Sequence, residues 1–350
     1  MNGLLQIPEH VAHEREKRTA KRSFTRCYLS LFFFLLFVEV LVVSVQILGL
    51  LFLGEDLTVE LLANPYVQYG LQVLIMYILG FPFFLLLNLG MQKSVYEKKK
   101  MGVGSFIVYL LIAQFLMQAG AMISSIISET LYSIIPTGGS GDSVVGGFID
   151  EVPWWLIIAV VVVIGPIFEE LMFRKVLFDR LSVYGDRLAV LISAVAFGLF
   201  HGNIEQLIYA TAIGLLFGSI YAKTRNIWHT IFLHMAVNFL GTVPGLIAAN
   251  SMEKIFELSE LGSLLTEAEA ASSVFHFVII AIISILQIGM SIAGLVLFIV
   301  FMVKKKLIPE KRCRIRLEGK TLSRCVIANA GAILLLIYCT AQIVLSLIFI

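Results

Sequence analysis

Long apolar runs separated by short charged segments dominate the chain. A helix needs about 20 apolar residues to cross a bilayer, and on that measure the runs predict nine spans, at residues 27–53, 67–90, 105–133, 154–178, 188–201, 205–222, 227–248, 274–303 and 325–350. The fifth run is too short to face lipid along a full crossing and is expected inside the bundle. The first exceeds the roughly 7–15 residues of a signal-peptide core and reads as a retained span. No polar segment reaches the roughly 50 residues a folded domain needs, so any chemistry must sit among the spans. The pattern predicts an all-α fold, a polytopic membrane helical bundle. It divides into a basic arm at 1–26, three spans within 27–133, a central group within 154–248 and two C-terminal spans within 274–350.

Composition agrees: 59% of residues are hydrophobic and 14% charged, with a mean hydropathy of +0.93, values of a membrane protein. The net charge of +2 conceals a segregation that orients the chain. If the N-terminus is cytoplasmic, every Lys and Arg except Arg174 and Lys254 falls on a cytoplasmic segment. The opposite loops carry Glu55, Asp56, Glu60, Asp142, Asp150, Glu151 and a Glu-rich stretch from Glu253 to Glu269. This is the positive-inside distribution; because topology explains the basic segments, no nucleic-acid partner is expected. Cys27, Cys313, Cys325 and Cys339 form no CxxC pair and have no His at metal-ligand spacing, so they read as ordinary thiols.

Against this apolar background a few polar residues stand out. Glu169, Glu170 and Arg174 follow the apolar run Trp154 to Ile164, and charge within a span is costly and seldom idle. Glu170 and Arg174 are i and i+4 and share a helix face, the acid first, which is the favourable order for a pair. Glu169 points about 100° away and has no partner in its own helix. His201 ends the fifth run, just before Gly202, while His234 and Asn238 share a face of the seventh by i, i+4 spacing. At 1.5 Å per residue, Glu169 lies about 16 Å from Arg180, His201 about 21 Å from Arg187, and His234 and Asn238 about 14 and 20 Å from Arg225. All four fall in one shallow slab and can converge. Glu39, Glu129 and Glu205 are weaker candidates for lining a cavity, and His229 reads as an interfacial residue beside Trp228.

The motifs Glu169-Glu170-x-x-x-Arg174, Phe197-x-x-x-His201 and His234-x-x-x-Asn238, in that order on three apolar helices, resemble those of the CPBP intramembrane proteases, the CAAX proteases and bacteriocin-processing enzymes also called the Abi family. The resemblance covers about Trp154 to Gly245, with no departure at the motif positions. It implies an endopeptidase embedded in the membrane, a cavity open to the cytoplasm and about eight helices, which would make the ninth span an appendage. It also implies a peptide or membrane-protein substrate, in peptide maturation, bacteriocin immunity or CAAX-type processing, and the chain's compactness points to a bacterial cell membrane.

Peptide hydrolysis needs an activated water, an oxyanion stabiliser and a proton donor for the leaving amine. The expected assignment places the water between Glu169 and His201 with Glu169 as general base, directs His234 and Asn238 at the oxyanion, and uses Arg174 to hold Glu170. No cofactor is required. The alternative within the same activity is a catalytic zinc held by Glu169, His201 and His234, although the chain has no HExxH. Outside it stand a proton-coupled transporter, for which intramembrane Glu and His are suited, and a non-catalytic immunity protein.

Overall fold

The computed structural model describes residues 9–134, 152–260, 266–310, 312–315 and 319–349; Asp142, Asp150 and Glu151 of the expected acidic loops lie outside them. Every described element is helical: α1 Glu9–Leu53, α2 Glu55–Ala63, α3 Pro65–Leu87, α4 Val103–Ile134, α5 Trp154–Tyr184, α6 Asp186–Phe200, α7 Ile204–Thr224, α8 Ile227–Glu260, α9 Glu267–Val303, α10 Gly319–Val326 and α11 Ala330–Phe349.

Among the described residues eight helices are long and apolar enough to cross a membrane. The expected fifth span is α6, whose 15 residues reach only about 22 Å. It lies within the bundle, as its shortness implied, with Ala189, Val190, Ser193, Ala194, Ala196 and Phe197 buried. Three boundaries differ from expectation. The helix containing the first span begins at Glu9, inside the basic arm, because Ala20, Phe24, Cys27, Tyr28, Leu31 and Phe34 recur at helical spacing and are all buried. The last span is broken before Ala330, where the Asn329 side chain caps α11 by accepting from the Ala332 N–H at 2.9 Å. α2 occupies what read as a loop.

Two apolar clusters build the core. One joins α1, α3, α5, α6, α7, α10 and α11; the other joins α4, α7 and α8, with α9 against it. In a bilayer helices associate through close packing of small residues, because lipid is as apolar as leucine. The α6–α7 hairpin shows this: a Cβ on Gly214 would stand 3.0 Å from Ala194 Cα, and one on Gly218 3.3 Å from Val190.

The end of the bundle that carries the basic residues is tied down by them. Arg26 donates to the Leu87 and Leu89 carbonyls at 2.8 and 2.7 Å, and Arg180 to the Asn88 carbonyl at 2.8 Å. Arg225 closes α7 in a left-handed conformation (φ 52°), pairs with Asp186 at 2.5 Å and lies 4.1 Å over the Tyr96 ring. The segment after α3 is thereby held across the ends of α5 and α7, and Arg187 Nε, donating to the Pro309 carbonyl at 3.1 Å, holds the segment after α9 to α6.

Candidate active site

α5 is not a uniform helix. Regular turns over Gly165–Glu170 are flanked by wider, π-type turns over Ile158–Ile164 and Leu171–Phe178. In the first of these the Gly165 N–H donates to the Val160 carbonyl, five residues back. The same spacing would assign the Val161 carbonyl to Pro166, which has no N–H. Asn238 of α8 supplies the missing donor, its Nδ2 lying 2.9 Å from the Val161 oxygen. The two helices are joined at the level of the motifs, and one of the two amide hydrogens of Asn238 is committed to backbone.

Glu170 and Arg174 form the expected pair, wholly buried, with Arg174 Nε 3.2 Å from Glu170 Oε2. The contact is charge against charge: among the described residues no guanidinium nitrogen has an aligned hydrogen-bond acceptor. The guanidinium lies instead over the Phe197 and Phe217 rings, 4.8 and 5.9 Å from their centroids, contacts that strengthen when water is excluded. Glu170 Oε1 is 3.1 Å from His234 Nδ1, and His234 turns Nε2 toward Glu169, 3.6 Å from Oε2. One buried imidazole therefore stands between two carboxylates, bonded to Glu170 and only near Glu169. With Arg174 as the counter-ion of Glu170, the network assigns the ring hydrogen to Nδ1. Glu169 differs from its neighbour in access, its side chain being 19% exposed against 0% for Glu170.

His201 closes α6, and its Nδ1–H donates to the Phe197 carbonyl at 2.8 Å, leaving Nε2 as an acceptor. Gly202 takes a positive φ of 67°, allowing the chain to reverse at once. Asn203 then caps α7, accepting from the Gln206 N–H at 2.8 Å and donating to the His201 carbonyl at 3.0 Å. The Phe197 ring stands edge-on to both imidazoles, 5.1 Å from His201 and 5.7 Å from His234.

Glu169, Glu170, Arg174 and His234 are thus in direct contact, His201 stands across Phe197, and Asn238 is one helix turn away on a backbone carbonyl. Two placements differ from the sequence reading. Both His234 and Asn238 were directed at the oxyanion; in the structure His234 is bonded to Glu170 and lies near Glu169, and Asn238 donates to the Val161 carbonyl. The proposed zinc set of Glu169, His201 and His234 does not converge, since among the described residues no three His, Cys, Asp or Glu side chains stand close enough to hold a metal. Glu39 and Glu129 are exposed, and His229 Nε2 lies 3.3 Å from Asn226 Nδ2 in the α7–α8 turn. Sequence reasoning missed Tyr77, whose ring stacks on Phe168 at 4.7 Å; nothing in an apolar run marks a contact between helices so distant in the chain.

The fold and these contacts define a class: an intramembrane helical bundle enclosing a carboxylate–imidazole site. Residues 151–240, which contain all six candidate positions, match the family described as Rce1-like, type II CAAX prenyl endopeptidase. The resemblance to the CPBP proteases thus lies in the central segment. A putative membrane peptidase, YdiL of Bacillus subtilis, is 41% identical over 91 residues, 26% of this chain and 36% of that one. The membrane-embedded CAAX protease MroQ of Staphylococcus aureus is 28% identical over 102 residues, 27% of this chain and 41% of its own length. The aligned portion thus spans about two-fifths or less of either relative. No solved structure matches.

Proposed function

We propose that this chain is an intramembrane endopeptidase, acting on a membrane-associated peptide or protein in a bacterial cell membrane with its site reached from the basic, cytoplasmic side. The observation that carries the reading is His234 held between two carboxylates of unequal access. Glu170 is buried against Arg174 and has no room for a reactant. Glu169 is partly open, so a water beside it can be polarised while His201 Nε2 accepts a hydrogen bond from the same water.

In the proposed sequence Glu169 takes the proton as the water attacks the scissile carbonyl, and the second N–H of Asn238 donates to the oxyanion. His234 Nε2, facing Glu169, is placed to relay the proton toward the leaving amine, while Glu170 keeps the imidazole oriented through Nδ1. Such preorganised donors and a positioned base account for large rate factors without a covalent intermediate. No step in this reading is routed through a metal ion. The match to CAAX endopeptidases supports a C-terminal, lipid-modified peptide as the substrate class.

The test is Glu169→Gln, which keeps shape and removes the base. Membrane and secreted peptides are compared between cells carrying wild-type and variant chains, and the purified proteins are assayed on a farnesylated peptide ending in a CAAX tetrapeptide. Loss of cleavage products with the variant is expected. Full processing by Glu169→Gln refutes the mechanism and returns the site to a transporter or a bundle-stabilising network.

A further inference from the structure

The carboxylate of Glu169 has two oxygens, and only one of them faces His234. Oε2 lies 3.6 Å from His234 Nε2, whereas Oε1 is turned toward Gly165, 3.6 Å from the point a Cβ there would occupy. The same point is 3.3 Å from the hydroxyl oxygen of Tyr77. The absent side chain of Gly165 leaves a gap that the phenol and the carboxylate both border. Tyr77 comes from α3, outside residues 151–240, and it is 8% exposed.

Its ring is fixed by stacking on Phe168, 4.7 Å away and 20° from parallel, and Phe81 closes on the other edge of Phe168 at 5.1 Å and 80°. Phe168 is the residue before Glu169, so the contact that orients the phenol also sets its position along α5. Tyr77 lies within a widened stretch of α3, Val73–Gly80, that ends just before Pro82. Widened helical turns re-aim side chains and recur at functional sites.

We propose that Tyr77 is a positioning residue for the general base: its hydroxyl borders the same gap as Glu169 Oε1 without a direct hydrogen bond in this structure, and closes on Oε1 when substrate occupies the site, so that Oε2 is kept for the water and His234. The inference rests on the reading of Glu169 as the base. It explains why a glycine precedes Pro166 in α5, since any side chain at Gly165 would press on the Val160 carbonyl at 3.2 Å and stand between phenol and carboxylate. It also gives α3 a part in the chemistry.

Tyr77→Phe removes one oxygen and leaves the stacked ring. On the full-length chain, with a quenched-fluorescent farnesylated CAAX peptide as probe, kcat is expected to fall about tenfold or more, the worth of a hydrogen bond to a charged group. KM should stay within about twofold and the melting temperature unchanged, because substrate binding and packing do not use the hydroxyl. A kcat equal to wild type overturns the proposal, as does a loss matched by lower stability. Gly165→Ala is the independent variant: it should lower kcat in the wild-type background and cost less beside Tyr77→Phe, where the oxygen it meets is gone. Equal costs in both backgrounds overturn the proposal. Glu169→Gln, measured alongside, separates the two failures. If Glu169→Gln is inactive while Tyr77→Phe is fully active, only this inference falls; if Glu169→Gln or an inert wild-type chain removes the base assignment, the inference falls with it.

Discussion

Asn238 can be divided experimentally into a structural and a chemical half. Its Nδ2 donates to the Val161 carbonyl, the acceptor that Pro166 cannot serve. Asn238→Leu leaves that carbonyl without a partner, which costs about 1–3 kcal/mol where water is excluded. Polar contacts between helices in a bilayer average about 0.6 kcal/mol and reach about 1.7; Asn238 is only half-buried, so a loss of about 1 kcal/mol is expected. Pro166→Ala restores an N–H at the position from which a π-type turn would pair with Val161. In that background Asn238→Leu should lose almost no stability, a coupling of about 1 kcal/mol, read by SDS titration of the folded chain in mixed micelles. Activity should behave differently: if the second amide hydrogen meets the oxyanion, kcat falls by about 10²–10³ in both backgrounds. Stability losses that add within about 0.3 kcal/mol refute the argument from Pro166. A kcat restored along with stability refutes the oxyanion role.

Arg174→Met strands Glu170 as a buried unpaired charge and should destabilise the chain by about 3–5 kcal/mol, whereas Glu170→Gln/Arg174→Met recovers most of the loss; thermal unfolding in detergent compares the two, and an equal loss in the double variant contradicts the pairing. Exhaustive chelation, with metal content measured on the same sample, should leave cleavage of the farnesylated peptide unchanged; activity that disappears and returns with zinc alone contradicts the metal-free sequence of steps.

The spans and the candidate pair in α5 were legible because the energies behind them are large and local. Crossing hydrocarbon demands a long apolar run, and a charge inside one demands a partner, so Glu170 and Arg174 at i, i+4 announced their contact. The depth estimate brought His201 and His234 to the level of Glu169 for the same reason, since helix rise is uniform. What escaped were consequences of small backbone departures. The widened turns around Gly165–Glu170 change which carbonyl lacks a donor, and that commits one amide hydrogen of Asn238, read from sequence as an oxyanion donor, to Val161. Phe197 was read as a motif position, yet its ring edges against two imidazoles and its face against Arg174 are visible only once α5, α6 and α8 are packed. The start of α1 at Glu9 was hidden because its buried stripe of Ala20, Phe24 and Cys27 lies among arginines and lysines.

Adjacent glutamates in one helix would repel if they shared an environment, and the bundle separates their roles by giving them different ones. Glu170 is surrounded: Arg174 on one oxygen, His234 on the other, aromatic rings behind the guanidinium and no exposed surface. In the proposed reading such a carboxylate is an anchor that fixes the hydrogen on His234 Nδ1. Glu169, about 100° around the helix, keeps an exposed edge and has one imidazole at a distance too long for a direct hydrogen bond. In the proposed reading the loose contact suits a base, because a carboxylate already saturated by donors has no capacity left for water. Two carboxylates whose surroundings push them apart in behaviour are the usual mark of an acid–base site. Here the division follows from one residue's offset along a helix, combined with an arginine one turn on that reaches only the second of the pair.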